Sequence, residues 1–208
     1  MILPQKDKGA MTIKNPNHPA RGSRITVEPI RRLADIKSIK KLITDNPRNH
    51  LLFVLGINNG LRAGDLLKLK IRDVTKLKPG QSIVIRESKT GKNNILMINK
   101  TVYKALRIFL ENTGPGDGEH LFASRKTKKP LTIQSVNALV KKWAREINLS
   151  GNYGAHTLRK TFGYIQRTKF GVGFEILAKR FNHSSPAVTM RYLGLTSDEV
   201  NEVLMNEI

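Results

Sequence analysis

The 208-residue sequence predicts an α+β fold, mainly α-helical, with a small antiparallel β-hairpin near the N-terminal third. Three observations point to it. Apolar residues recur at three- and four-residue spacing through most of the chain, as helices packed on one core require. One stretch breaks that rhythm: "QSIVIRES" alternates and is β-branched, "KTGKNN" supplies turn residues, and "ILMIN" reads as a second strand. Helix-start signals also stand where periodic stretches begin, with Thr132 before "IQSV" and Ser185–Pro186 before "AVTM".

Each element follows in order. Residues 1–27 are polar and basic, hold Pro4, Pro16 and Pro19, and show no period, so a basic arm or linker is expected. "DIKSIKKLITD" spaces Ile36, Ile39, Leu42 and Ile43 as a helix, which Pro47 should end. "RNHLLFVLGINNG" reads as a buried helix running into Gly60, and Asp65 to Leu69 as a short helical continuation. Beyond the hairpin, "TVYKALRIFLEN" carries Val102, Leu106 and Leu110 along one stripe. "TGPGDGEH" is a loop, and "TIQSVNALVKKWAREIN" is a helix capped by Thr132. "GNYGAHTLRKTFGYIQRTKFG" begins as a glycine-rich turn and becomes a helix. "FEILAKRFN", "SPAVTMRYLG" and "TSDEVNEVLMNEI" complete the helical set.

Charge narrows the function. Thirty-seven Lys and Arg face 16 Asp and Glu, a formal charge of +21. Such a chain repels itself unless a polyanion compensates, and nucleic acid is the first candidate. An anionic membrane surface is the second. There is no cysteine, which excludes disulfides and thiolate zinc sites. The longest apolar run, "LLFVLGI", is far too short to span a bilayer, and "MILPQKDKGAM" lacks a signal-peptide core. A cytoplasmic location is therefore expected, with no membrane partner.

The chemistry-bearing residues are basic or tyrosyl. "GPGDG" is not followed by the Lys-Ser/Thr of a phosphate loop, and no G-x-S-x-G or metal-spaced histidine pair occurs. In "AHTLRKTFGY", His156 and Arg159 share a helix face near its start, where free N–H groups and the dipole favour a phosphate. The planar fork of Arg159 matches two phosphate oxygens. Arg62 in "GLRAGDL" lies three residues before Asp65, close enough for that carboxylate to orient it. Lys89 stands where the first strand meets its turn. In "RFNHSSPAVTMRYLG", one straight helix would hold His183 and Tyr192 on opposite faces, roughly 13 Å apart along its axis. "SSP" breaks it, so the chain can fold back and bring the two together. Taken one at a time, these features have ordinary readings: a satisfied cap histidine, a surface ion pair, a solubilising hairpin lysine.

Together they resemble the catalytic domain of the tyrosine recombinases, the family of phage integrases and Xer-type recombinases. That family has an Arg in a "GLR…(E/D)L" box, a Lys in a β-hairpin and His-x-x-Arg opening a helix. A His or Trp in "GHSS" follows, then a Tyr nine residues later. Here these are Arg62, Lys89, His156 with Arg159, His183 and Tyr192, in order, within a resemblance covering roughly residues 28–208. Two departures flank the pattern: Lys160 follows Arg159 where the family often has His, and "FNH" replaces "LGH". Neither falls on a catalytic position. Most members also carry an N-terminal core-binding domain; this chain is either a fragment or one of the short members, like the fimbrial-switch recombinases.

The resemblance implies a tyrosine recombinase catalytic-domain fold and a metal-independent reaction without cofactors. Tyr192 would attack a DNA phosphodiester, giving a 3′-phosphotyrosyl link and a free 5′-hydroxyl. His156 would be the general base or orienting group, Arg62 and Arg159 would bind the non-bridging oxygens, and His183 would add a hydrogen bond. Lys89 would protonate the leaving oxygen. The partners implied are double-stranded DNA and a homo-tetramer assembled on it, in a phage or other mobile element's integration, excision or inversion. A helix over about 197–207 is expected to dock on a neighbouring protomer or on its own domain. Lys141, Lys142 and Arg145 could enter a groove. Two other functions stay open: a DNA-binding regulator on the same fold without catalysis, and a type IB topoisomerase-like relaxing enzyme.

Overall fold

A computed structural model describes residues 26–113 and 119–194. The arm expected over 1–27 lies almost wholly outside these residues, and the last helix and the "GPGDG" stretch lie wholly outside them.

The first helices form around the most apolar run of the chain. Helix α1 (Leu33–Leu42) turns Ile36 and Ile39 inward. Helix α2 (Pro47–Asn59) is capped by Asn46, whose side chain accepts from the Asn49 N–H. Pro47 therefore opens α2 as its first residue instead of ending α1; proline's fixed φ suits that position and its missing N–H costs nothing there. Leu51 to Leu55 are all buried, and α2 packs between α5 (Lys100–Glu111) and α7 (Ala155–Phe170). Trp143 of α6 (Ile133–Glu146) meets Phe53 edge-on, with ring centroids 5.9 Å apart. Each such side chain, buried fully, contributes roughly 1.5–3 kcal/mol.

Gly60 ends α2 in the left-handed region, at φ 60°. A Cβ there would also run into the Phe162 ring of α7. Gly60→Ala is therefore expected to lower stability by about 1–3 kcal/mol, read from denaturant melts.

After Gly60 come two single turns, α3 (Ala63–Leu66) and α4 (Ile71–Val74). Only the first was legible in the apolar pattern. The hairpin follows: β1 (Ser82–Arg86) pairs antiparallel with β2 (Asn93–Met97), Val84 opposite Ile95. Asn93 and Asn94 belong to β2 instead of the turn. The Asn94 side chain is buried, donating to Glu87 Oε1 at 2.8 Å and accepting from Arg180 at 2.7 Å. The side-chain amide of Asn59, the last residue of α2, clamps that helix to the hairpin. It accepts from the Met97 N–H at 2.7 Å and donates to the Met97 carbonyl at 3.1 Å.

The last described helices, α8 (Phe174–Phe181) and α9 (Pro186–Leu193), pack on each other and on α7 around a second, smaller core of Leu177, Phe181 and Leu193. Gly163 makes this possible, since a Cβ there would stand 2.7 Å from Leu193 and Phe181. Arg180 ties the unit to the rest, donating to the Asn59 and Ile95 carbonyls and to Asn94.

Candidate active site

The catalytic candidates gather where the two cores meet. Arg62 caps α3 directly after the α2 turn. Its partner is Glu87 at the end of β1, with Nη1 and Oε2 2.5 Å apart. The expected partner, Asp65, does something else. Its Oδ1 accepts from the N–H and the hydroxyl of Ser88 at 2.9 and 2.7 Å, so it braces the hairpin turn. The reason is directional: Asp65 lies on the turn of α3 facing the hairpin, and only Glu87 reaches the guanidinium.

Glu87 is the functional residue that sequence reasoning missed. Its side chain is fully buried and receives hydrogen bonds from Thr90 at 2.6 Å and Asn94 at 2.8 Å. Burial alone would raise its pKa, but those bonds and Arg62 hold it at about 2. In the unfolded chain it titrates near 4.3. Ionised Glu87 thus stabilises the fold fully above about pH 4.3, and that contribution is lost as pH falls through about 2. Its size is on the order of 2 kcal/mol. Denaturant melts of Glu87→Gln should therefore show a flatter pH dependence in that window than those of the parent.

Lys89 is exposed, as a hairpin-tip lysine should be, but the turn around it is not loose. Ser88 on one side is bound to Asp65, and Thr90 on the other is bound to Glu87.

Gly154 caps α7, and the Thr157 hydroxyl accepts its N–H at 3.0 Å. His156 and Arg159 then share one face as expected, but their environments differ. The His156 side chain is open to solvent on the site's rim. Partial desolvation and four nearby cations, Arg159, Arg62, Lys89 and Lys160, push its pKa below the ordinary imidazole value. Arg159 is only 2% exposed. It donates to the Gly60 carbonyl and to the Phe181 carbonyl, both at 2.7 Å, and stacks on the Phe181 ring. Burial lowers its pKa to about 10, so it stays charged at neutral pH.

The fold-back expected at "SSP" is present. Asn182 ends α8 in the left-handed conformation, the position where "LGH" sequences have glycine and where asparagine is the next-best residue. Ser185 caps α9 with Pro186 as its first residue. His183 and Tyr192 meet edge to face with ring centroids 5.2 Å apart. His183 Nδ1 lies 2.9 Å from the hydroxyl of Thr189, a buried residue of α9 that makes no other side-chain hydrogen bond among the described residues. With the Thr189 hydroxyl as donor the ring proton sits on Nε2, and with the roles reversed it sits on Nδ1. Burial, then Arg159 and Arg62, lower the His183 pKa to about 4, so the ring is neutral at pH 7.

The Tyr192 hydroxyl is buried and makes no hydrogen bond of good geometry. Burial raises its pKa, while the neighbouring Arg159 and Arg62 pull the other way. Thus buried Arg159 and half-buried Arg62, His183 and Tyr192 form one electrostatic cluster, with His156 and Lys89 at its open edge. Among the described residues no group of three His, Asp or Glu side chains stands close enough to hold a metal ion, and no helix is long and apolar enough to cross a membrane.

Comparison with known proteins identifies the family and the fold. The phage integrase family model matches residues 23–199. "Probable integrase/recombinase YoeC" of Bacillus subtilis is 36% identical over 175 residues, 83% of this chain and 92% of that protein. "Tyrosine recombinase XerA" of Pyrococcus horikoshii is 28% identical over 202 residues, 95% of this chain. The chain spans 66% of that XerA and 56% of the XerC of Caldanaerobacter subterraneus, which it also resembles. Among solved structures, XerA recombinase superposes with a TM-score of 0.71 at 18% identity, covering 89% of this chain and 68% of that one. XerH in its post-cleavage complex with a palindromic difH substrate gives 0.69 at 21%, covering 88% and 53%. The helical bundle with its single hairpin is thus the tyrosine recombinase catalytic-domain fold, and the chain belongs to the phage integrase family.

Proposed function

We propose that the chain cleaves and rejoins double-stranded DNA at specific sites through a 3′-phosphotyrosyl intermediate on Tyr192. The observation that carries this reading is the phenol itself. Its oxygen is buried, without a good hydrogen bond, beside two arginines and a neutral histidine. A tyrosine placed only for packing would not leave its hydroxyl unmet among cations.

Each residue then has a role. The phenol, whose pKa burial raises above the ordinary tyrosine value, must lose its proton as the bond to phosphorus forms. His156 accepts it; its lowered pKa keeps the ring neutral and ready at pH 7. Arg62 and Arg159 stabilise the charge on the pentacoordinate phosphorus from fixed positions, so little reorganisation is needed in the transition state. His183, in the tautomer with the Thr189 hydroxyl as donor, donates from Nε2. Lys89, on its braced turn, protonates the leaving 5′-oxygen. Exposed Lys141, Lys142 and Arg145 of α6 contact phosphates, so affinity falls steeply with salt. Strand exchange needs two duplexes, and the working unit is a homo-tetramer on DNA. Residues 28–208 make up the catalytic domain.

The test begins by selecting bound duplexes from a randomised pool, then nicking the recovered sequence so that a cleaved strand is lost. Covalent protein–DNA adduct on a denaturing gel, with recombinant product from intact duplexes, supports the proposal. Tight binding without adduct would mean a regulator, and relaxation without exchanged product a topoisomerase-like enzyme.

A further inference from the structure

Lys160 is one of the deepest cations among the described residues and is 4% exposed. Lysine is almost never buried this far without a paired carboxylate. None stands within ion-pair distance of it among the described residues; Glu28 is an electrostatic neighbour that favours its charge, and Arg31 is one that opposes it. Its ammonium instead stands over the face of the Tyr192 ring, 5.1 Å from the centroid. Phe181 and His183 meet the same ring edge-on, at 5.7 and 5.2 Å.

The ring is therefore held on several sides, and its cationic contact comes from the residue directly after Arg159. One turn of α7 thus places a guanidinium beside the phenol oxygen and an ammonium over the phenol ring. Other charged or titratable groups facing Tyr192 are Arg62, at the junction of α2 and α3, and His183, from the turn between α8 and α9. A cation–π contact strengthens when both partners are withdrawn from water. It strengthens again when negative charge enters the ring, as it does while the phenol ionises and while a phenolate leaves in rejoining.

We propose that Lys160 is a positioning residue for the nucleophile, its ammonium pinning the Tyr192 ring so that the oxygen is presented beside Arg159, and favouring charge that develops in that ring. This rests on the reading of Tyr192 as the nucleophile. The departure at this position, Lys where relatives often have His, is then a functional choice instead of a neutral one.

The experiment is single-turnover cleavage of the selected nicked duplex at saturating full-length chain. Lys160→Met keeps the length and apolar stem but removes the charge, and Lys160→Arg keeps the charge. Lys160→Gln serves as a second uncharged variant should Met pack poorly, with thermal melts setting a common temperature well below unfolding. The expected result is cleavage about tenfold or more slower in Met and Gln, with DNA affinity within about twofold of the parent. Arg should stay within about threefold of the parental rate. The alkaline rise of the rate profile should also move to higher pH in Met, which a packing role would leave in place. Parental rates in Met and Gln, or an Arg variant as slow as Met, would overturn the assignment. A parent that forms no adduct would overturn the recombinase reading itself; a parental adduct with an unaffected Met variant overturns only the role of Lys160.

Discussion

Tyr192→Phe is expected to abolish the covalent adduct while leaving fold and DNA affinity intact. Phenylalanine keeps the ring, and with it the Phe181 and His183 edges and the Lys160 ammonium. Only the oxygen goes. That oxygen is buried beside the Arg159 guanidinium without a hydrogen bond of good geometry, so its removal costs little and relieves a desolvated polar group. The melting temperature should hold or rise, by an amount corresponding to about 0–1 kcal/mol. Adduct should fall below detection, because no other tyrosine occupies this cluster: Tyr103 on α5 packs against the main core, Tyr153 donates to the Ser150 carbonyl, and Tyr164 lies under Arg31. Loss of adduct with unchanged binding would separate chemistry from recognition in one variant.

Arg159→Lys carries the second large effect, and it strikes both activity and stability. The guanidinium bridges the carbonyl of Gly60, after α2, and that of Phe181, ending α8, while lying 4.4 Å from the Phe181 ring centroid. It is a clasp between the main core and the unit that bears Tyr192. A lysine keeps the charge but cannot satisfy two diverging carbonyls and stack at once. We expect a loss of about 2–4 kcal/mol in denaturant melts, from a buried carbonyl left unmet and a loosened α8. Cleavage should fall by about a thousandfold, since a fixed donor to the transition state is lost and Tyr192 is less firmly placed. A variant that melts like the parent and cleaves within about tenfold of it would show that charge alone suffices.

What could be read from the sequence divides along the range of the interactions. Elements held by local rules were legible. Thr132 and Ser185–Pro186 start helices because their partners lie three residues away, and α2 ends at Gly60 because only a left-handed residue turns the chain there. The six candidate residues could be picked out because each falls in a short motif, and the fold brings them into one neighbourhood. The scaffold that holds them was not. Glu87 looked like an ordinary hairpin acid, and nothing nearby announces that it is buried against Arg62. Asn59 and Arg180 likewise act through backbone or side-chain partners remote in sequence, which leave no periodic trace. Asp65 was assigned to Arg62 on proximity along the chain, whereas the orientation of α3 gives it to Ser88. The apolar pattern also could not resolve α4, a single turn with one buried residue.

The two cores bear on how the site works. Arg62, Lys89, His156 and Arg159 belong to the larger body or its hairpin, whereas His183 and Tyr192 ride on the smaller α8–α9 unit. Arg159, Arg180 and Asn94 bridge the two. The candidate site therefore lies at a seam, and its stiffness depends on a few charge-assisted hydrogen bonds to backbone carbonyls.

The most direct measurement is the chemical identity of the protein–DNA link. The adduct formed on the nicked duplex is digested with nuclease and trypsin, and the modified peptide is sequenced by mass spectrometry, with the two DNA ends labelled separately. The expected finding is a nucleotide joined through its 3′-phosphate to the peptide that begins at Tyr192 after cleavage at Arg191, with a free 5′-hydroxyl on the released strand. A link to any other side chain, or one through a 5′-phosphate, would contradict the assignment of Tyr192 and the roles built around it.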